Sequence, residues 1–180
     1  MLKLKKMIGY GAVRACYEHP ENKHLCVKVF LEKGKKTKSF LDEIHLYKKL
    51  ENKLSPYLCF YEEALVETDK GTGMVTELLR DDDLSISQPL ATTPLTEEIK
   101  AQIDDFTQRL IDNDIFFYDF NLQNFVVQKL KNKTQLKYID MKSYRRYKPW
   151  TFLGLEKFIP SLARLAMKQR IKKLNNLLQE

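Results

Sequence analysis

The order of hydrophobic patterns in the first 80 residues limits the fold more than any other feature of this sequence. Residues 6–18 (KMIGYGAVRACYE) have the pattern of two strands joined by a turn at Gly9 and Gly11. Residues 24–30 (HLCVKVF) have the pattern of a third strand, with one lysine inside the apolar run. The chain is therefore expected to begin with three consecutive strands.

A helix and two further strands are predicted next. Residues 35–54 carry an apolar stripe at helical spacing, and segments 60–67 and 73–79 are strand-like on either side of a glycine-containing turn. Together with the first three strands, these segments predict a unit of five strands and one helix over residues 1–80, in which the strands form an antiparallel sheet.

The rest of the chain has a different pattern. Residues 81–92 are polar, contain proline and show no periodicity, so they are predicted to form a linker. A helix is expected to begin near Thr93 or Thr96, followed by a loop and two strands, and residues 155–180 are expected to be helical and basic. Residues 93–180 thus form the predicted second lobe of an α+β protein.

Size and cysteine content favour an ordinary globular chain. With 180 residues, of which 43% are hydrophobic, the sequence can form one or two small cores, and no run of 18 apolar residues is present. The first residues have no apolar stretch of signal-peptide length, so we expect a cytoplasmic protein. The three cysteines lack CxxC spacing and lie in apolar segments, which favours reduced thiols over disulfides or a zinc site.

Charge is distributed unevenly along the chain. Residues 129–180 contain 14 basic and 3 acidic residues, a net charge of +11, whereas residues 1–128 carry −4. A basic C-terminal region favours an anionic ligand or a membrane surface as a partner, and a solvated helical surface explains it equally well. Nucleic acid binding rests on charge alone and is not expected.

Ionic residues follow the predicted elements in a characteristic order. Lys28 lies in the third strand, Glu43 in the helix after it, Asp119 and Asn124 in a loop before a strand, and Asp140 at the end of the strand that follows. This succession resembles the protein-kinase fold, with its Gly-rich loop, strand-three lysine, helix glutamate, D-x-x-x-x-N catalytic loop and metal-binding aspartate.

A more specific resemblance is to the bacterial YrbL family of PhoP regulatory network proteins, a small protein-kinase-like group. The segment GYGAVRACYEHPENKHLCVKV (9–29) is similar to that family's opening signature. The segment ETDKGTGMV (67–75) resembles its central hairpin, and NLQNFVV (121–127) its catalytic-loop remnant. These segments imply a compact kinase-like fold with an N-terminal antiparallel-sheet lobe and a truncated helical C-terminal lobe.

The resemblance implies ATP and Mg²⁺ as ligands and gives roles to residues of the first lobe. Gly9 and Gly11 would let the backbone approach phosphates, and Lys28 would contact the α- and β-phosphates. Glu43 would hold Lys28, which predicts an Nζ–carboxylate distance within about 4 Å. The alternative is that Lys28 and Glu43 each extend to solvent.

The remaining roles follow from the same resemblance. The backbone groups of Glu77 and Leu79 would contact adenine, and Asp119 would accept or orient the proton of the acceptor hydroxyl. Asn124 and Asp140 would hold magnesium through oxygen atoms. For Asp140, the alternative is a residue that satisfies a turn after a strand.

Departures from the kinase pattern bear on the reaction. Arg14 stands where a third glycine is usual, and Met141 and Lys142 replace the Phe-Gly that follows the metal-binding aspartate. The 40 residues after Asp140 are fewer than a full C-terminal lobe needs, which favours a small hydroxylated acceptor such as a sugar or lipopolysaccharide over a bound peptide. The predicted function is ATP/Mg-dependent phosphotransfer, and the alternative is a pseudokinase that serves as a regulatory binding module.

Overall fold

A computed structural model describes most of the chain. The described residues are 1–32, 37–115, 117, 120–141 and, beyond these, 165, 168, 169, 171, 172 and 176. The chain divides into two compact units, of which the first comprises Met1–Leu50 and Cys59–Ile86 and the second Glu51–Leu58 and Ser87–Glu180.

The first unit contains an antiparallel sheet. Its strands are β1 (Met7–Tyr10), β2 (Arg14–Glu18), β3 (Leu25–Phe30), β4 (Tyr61–Thr68) and β5 (Gly71–Glu77). They are arranged in the order β1-β2-β3-β5-β4. Helix α1 (Lys38–Leu54) joins β3 to β4 along the chain. The predicted succession of three strands, a helix and two strands is confirmed.

The two faces of this sheet differ in chemistry. Alternation along β2 and β3 places Ala15, Val27 and Val29 on one face, where they form a buried cluster with Leu4 and Val75. The intervening residues of the same strands lie on the opposite face. Its residues, in register across β2, β3 and β5, include Arg14, Cys16, Cys26, Lys28, Met74 and Thr76.

The β4–β5 hairpin is tighter than predicted. Its turn consists of Asp69 and Lys70, and β5 already begins at Gly71. Gly71 has a φ of 108°, which is accessible to glycine but strained for other residues. The Thr68 hydroxyl accepts a hydrogen bond from the backbone N–H of Lys70 and donates one to the carbonyl of Gly71. These bonds fix the register of the hairpin.

The second unit contains a helix and a small sheet. Helix α2 (Glu97–Asp112) is preceded by β6 (Gln88–Pro89) and followed by β7 (Phe125–Leu130) and β8 (Lys133–Tyr138), in the sheet order β6-β7-β8. Short 3-10 helices cover Leu90–Thr92 and Leu122–Asn124. The predicted start of α2 is confirmed, because the Thr96 side chain caps it by accepting a hydrogen bond from the N–H of Ile99.

Aromatic packing holds the second unit together. The ring of Phe106 on α2 lies 5.3 Å from that of Tyr57 and 5.7 Å from those of Phe125 and Tyr138. Gln102, one turn earlier on α2, accepts a hydrogen bond from the N–H of Leu136 on β8 at 2.8 Å. These contacts fix the β7–β8 hairpin, whose open end carries the predicted metal ligands.

The α+β class with an N-terminal antiparallel sheet is confirmed. The basic C-terminal region, predicted to be helical, lies largely outside the described residues. Within the described part of the chain, no helix is both long and apolar enough to span a bilayer.

Candidate functional site

Lys28 lies in the middle of the first unit's sheet. It pairs with Cys16 on β2 and with Met74 on β5, and it is only partly exposed. Its ammonium lies 5.5 Å from the centre of the Tyr61 ring. Among the described residues, this ammonium has no hydrogen-bond acceptor and no ion-pair partner. Within this part of the chain, Lys28 is therefore a partly buried cation without an ion-pair partner.

Glu43 does not pair with Lys28, contrary to the prediction. Its side chain is only 2% exposed, and its Oε2 accepts a hydrogen bond from Arg14 at 2.5 Å. The other oxygen, Oε1, accepts from the Tyr61 hydroxyl at 3.5 Å. The predicted Lys28–Glu43 ion pair is wrong because Arg14 and Tyr61 already contact both carboxylate oxygens.

Arg14 is held by more than this ion pair. Its guanidinium lies 4.5 Å from the centre of the Phe40 ring and 5.4 Å from that of Phe30, and these two rings stack on each other. A second guanidinium nitrogen donates to the Ser39 hydroxyl at 3.0 Å. Cation–π contacts of this kind stabilise by about 0.5–2 kcal/mol, more when water is excluded. Arg14 therefore joins β2 to the first turns of α1.

The groups around Lys28 raise its pKa, and the pKa of the neighbouring Cys16 thiol is lowered. Burial lowers the pKa of Lys28, but the phenol of Tyr61 and the carboxylate of Glu43 outweigh this effect and raise the pKa above its ordinary value. Contact with the Cys26 thiol lowers the pKa of Cys16, and the charge of Lys28 adds to this against the effect of burial. The face around Lys28 thus favours negative charge on a neighbour.

The glycine turn lies between β1 and β2. A Cβ atom built on Gly9 or on Gly11 would meet no other atom within 4 Å, so packing within the protein does not require glycine at either position. The N–H of Gly11 donates to the carbonyl of Arg14 at 2.8 Å and closes the turn. Of the two predicted phosphate-binding glycines, Gly11 already uses its N–H within the protein.

Some of the backbone groups predicted to contact adenine already form hydrogen bonds within the protein. The N–H of Glu77 donates to the carbonyl of Phe60, and its carbonyl accepts a weak hydrogen bond from the Cys26 thiol at 3.7 Å. The N–H of Leu78 donates to the carbonyl of His24. The described residues provide no backbone hydrogen bond to Leu79, so its N–H and carbonyl are the groups of this segment that a ligand could use.

The second unit brings two of the predicted residues together. Asn124 directly precedes β7, and its carbonyl accepts a hydrogen bond from the N–H of Ile139 at 2.9 Å. Asp140 is the next residue, so both predicted metal ligands lie at the open end of the β7–β8 hairpin. Strand β8 ends at Tyr138, two residues earlier than predicted. Asp119, the predicted proton acceptor, lies outside the described residues.

Within the described ranges, no three His, Cys, Asp or Glu side chains are grouped to hold a metal ion. Magnesium is usually bound by one or two carboxylates together with substrate phosphates, so this result does not test Asn124 and Asp140. Their role as metal ligands stays a prediction.

Sequence reasoning misses the roles of Arg14 and Tyr61. The sequence marks Arg14 only as a departure from the glycine pattern. Alternation along β2, however, places Arg14 on the same face as Cys16, the residue that pairs with Lys28. This alternation is the sequence signal that could have placed Arg14 near the site. Tyr61 leaves no comparable signal, because its contact with Glu43 depends on how β4 and α1 are packed.

Comparison with protein families gives a match over nearly the whole chain. The family described as PhoP regulatory network protein YrbL matches residues 1–179. The uncharacterized protein YrbL of Escherichia coli (strain K12) is 30% identical over 108 residues, and so is that of Shigella flexneri. The match covers 58% of this chain and 50% of each relative, so it spans about half the length of these relatives.

Comparison with solved structures gives weaker similarity. The crystal structure of the Mycobacterium tuberculosis PknI kinase domain is similar over 78% of this chain and 59% of that domain, with 13% identity and a TM-score of 0.44. A crystal structure of a mutant of the same domain gives 12% identity, the same coverage of both chains and the same TM-score of 0.44.

Proposed function

The chain belongs to the PhoP regulatory network protein YrbL family, and we propose that it is an ATP- and magnesium-dependent phosphotransferase of the protein-kinase-like type. One observation carries the proposal: the ammonium of Lys28, which lies on one face of the first unit's sheet, has no anionic partner among the described residues. The succession of glycine turn, lysine strand and glutamate helix around it is the one that this reaction class uses.

An unpaired, partly buried ammonium favours an anionic ligand. Removing a charged group from water is costly unless an opposite charge compensates, and Lys28 keeps its charge because its pKa is raised. Phosphate oxygens are strong acceptors for such a cation. Lys28 is therefore proposed to bind the phosphates of the nucleotide.

The surroundings of Lys28 support a nucleotide over a simple anion. Space beside Gly9 and Gly11 is open, so a phosphate can approach the backbone there. The N–H and carbonyl of Leu79 are proposed to bind the adenine edge in place of Glu77, whose N–H is already paired within the first unit.

Separate roles are proposed for residues of the second unit. Asn124 and Asp140 would hold the metal through side-chain oxygens. Magnesium, when bound, would neutralise part of the negative charge of the phosphates. In the proposed transfer the acceptor hydroxyl oxygen forms a new P–O bond to the γ-phosphorus of ATP, the bond from this phosphorus to the β–γ bridging oxygen breaks, and ADP leaves with that oxygen. Asp119 is proposed to take the hydroxyl proton. A small hydroxylated acceptor, a sugar or lipopolysaccharide-like molecule, remains a prediction.

A second candidate function is a nucleotide-binding regulatory module without transferase activity. The Arg14–Glu43 ion pair favours it, because catalytically competent protein kinases need their helix glutamate paired with the strand-three lysine. In this alternative Lys28 still binds nucleotide, and the chain acts through the resulting change in stability or shape.

Thermal unfolding with and without Mg-ATP, combined with detection of phosphate transfer, separates these functions. A ligand at a hundredfold excess over its Kd stabilises the folded state by about 2.7 kcal/mol, which raises the melting temperature by several degrees. Asp140→Asn should abolish transfer, whereas the matched variant Asp104→Asn, on the exposed surface of α2, should not.

Three outcomes are informative. Stabilisation with transfer to a hydroxylated acceptor or to the protein itself, lost in Asp140→Asn, supports the phosphotransferase. Stabilisation without transfer supports the regulatory module. No stabilisation by ATP at any magnesium concentration overturns both.

A further inference from the structure

Arg80, which directly follows Leu79, joins two loops of the first unit. Its Nε donates a hydrogen bond to the carbonyl of Lys23 at 2.7 Å, and its Nη1 donates one to the carbonyl of Leu84 at 2.6 Å. The remaining nitrogen, Nη2, donates to the carboxylate of Glu18 at 2.5 Å. Only 10% of the Arg80 side chain is exposed. One side chain therefore holds the loop after β5 against the turn between β2 and β3.

The loop after β5 is closed by its own hydrogen bonds. The N–H of Leu84 donates to the carbonyl of Asp81 at 2.9 Å, and the N–H of Asp81 donates to the carbonyl of Ser85 at 3.0 Å. Leu84 has a φ of 65°, in the left-handed region that residues other than glycine seldom adopt. Such a conformation persists only where surrounding contacts fix it, and the hydrogen bond from Arg80 to the Leu84 carbonyl is one of these contacts.

The turn between β2 and β3 gives this loop a fixed attachment. Within the turn, the side chain of Asn22 accepts a hydrogen bond from the N–H of His24 at 2.9 Å. The carbonyl of His24 in turn accepts one from the N–H of Leu78 at 2.8 Å. Leu78 and Arg80, the residues on either side of Leu79, are therefore both attached to the same turn.

We infer that Arg80 is a positioning residue for recognition of the nucleotide base: by holding the loop after β5 against the β2–β3 turn, it fixes the backbone of Leu79 for contact with the adenine edge. This inference rests on the proposed function and adds the side chain that prepares its base-binding segment. Arg80 acts on the base only through Leu79.

Loss of Arg80 should weaken binding of the base and leave binding of the phosphates unchanged. Without its three hydrogen bonds, residues 79–85 would sample more conformations, and a bound base would have to order them again. Ordering one residue corresponds to about tenfold in Kd or more, so the Kd for Mg-ATP should rise about tenfold or more in a folded Arg80→Met variant. The Kd for magnesium tripolyphosphate, which lacks a base, should stay at the wild-type value, because the phosphates are proposed to bind at Lys28 on β3.

Two further variants test the same contact. Glu18→Gln removes the charge that Arg80 contacts and leaves its other two hydrogen bonds, so the Kd for Mg-ATP should rise about two- to fivefold. Lys6→Met is the matched control, because it removes the ion pair of an exposed lysine with the same Glu18 oxygen and leaves the bonds of Arg80 in place. It should bind both ligands like the wild type. Melting temperatures identify a variant that fails to fold, and Glu18→Gln decides the test if Arg80→Met is such a variant.

A second measurement does not depend on nucleotide. Amide hydrogen exchange of the ligand-free protein, followed by peptide mass spectrometry, should be faster over residues 79–85 in Arg80→Met than in the wild type and unchanged there in Lys6→Met. Exchange that becomes faster throughout the first unit would indicate a general loss of stability and overturn the positioning role.

The results separate this inference from the proposed function. A wild type that binds neither Mg-ATP nor magnesium tripolyphosphate overturns both. If the wild type binds and the Kd of Arg80→Met rises for Mg-ATP alone, the role of Arg80 is supported. If both Kd values of Arg80→Met stay at the wild-type level or rise by the same factor, the role of Arg80 is overturned and the proposed function stands.

Discussion

Arg14, and not Lys28, is the ion-pair partner of Glu43. The two residues are 29 positions apart and meet at 2.5 Å, with both side chains largely buried. The pair joins the strand after the glycine turn to the helix that follows β3. Among the described residues, Lys28 on the same face of the sheet therefore has no ion-pair partner.

Gly73 should be intolerant of any side chain. A Cβ atom at this position would lie 2.5 Å from Cγ1 of Val27, which is fully buried. Gly73→Ala is therefore expected to lower the free energy of unfolding by about 1–3 kcal/mol, measured by urea denaturation. Gly9→Ala is the control: its Cβ meets open space, and a loss of stability as large as that of Gly73→Ala would contradict the packing described here.

The stability of the second unit should depend on pH through Asp105. Hydrogen bonds from Tyr57 and Arg109 lower the pKa of this carboxyl below its ordinary value of 3.8. A lowered folded-state pKa adds stability above the unfolded-state pKa, and this contribution is lost as the pH falls through the folded-state value. Asp105→Asn should reduce stability at pH 7 by up to about 1 kcal/mol, because the pair is exposed.

The difference between the wild type and Asp105→Asn should therefore disappear in acid. Urea denaturation at about pH 7 and about pH 2.5 measures it at both ends of the range. Asp104→Asn, a change on the neighbouring exposed position of α2, serves as the control. A difference that persists unchanged at low pH would show that the asparagine acts through packing and not through charge.

Cys16 should be the most reactive thiol of the described residues. It is partly exposed and has a lowered pKa, whereas Cys26 and Cys59 are each 3% exposed. Since the thiolate is the nucleophile, iodoacetamide at about pH 7 should label Cys16 first. Lys28→Met should slow this labelling, as should saturating Mg-ATP. Peptide mass spectrometry measures the rates, and faster labelling of Cys26 would contradict the assignment.

Much of the fold is predictable because its signals are local. Alternation identifies β2 and β3, helical spacing identifies α1, and Thr96 marks the start of α2. The short strand β6 escapes sequence reasoning, because two residues that include Pro89 are too few to show a period. Its pairing with β7 depends on a contact distant in sequence.

The placement of Lys28 on the sheet is predictable from the sequence, but the ion pairing of Glu43 is not. The sequence predicts Lys28 as an inward-pointing charge, and Lys28 lies partly buried beside Tyr61. Whether Arg14 or Lys28 pairs with Glu43 depends on how β2 packs against α1. The residue pattern within each segment does not specify this packing. The adenine-contacting role of Glu77 is weakened for the same reason, since Phe60 and Cys26 take its backbone groups.

Calorimetric titration of Mg-ATP into the wild type and into Lys28→Met tests the proposed binding of phosphates by Lys28. Lys48→Met, which removes an exposed lysine paired with Glu63, is the matched control. The wild type and Lys48→Met should bind Mg-ATP saturably, and a folded Lys28→Met variant should show a Kd raised about tenfold or more. Equal affinity of Lys28→Met and the wild type for Mg-ATP would contradict phosphate binding by Lys28.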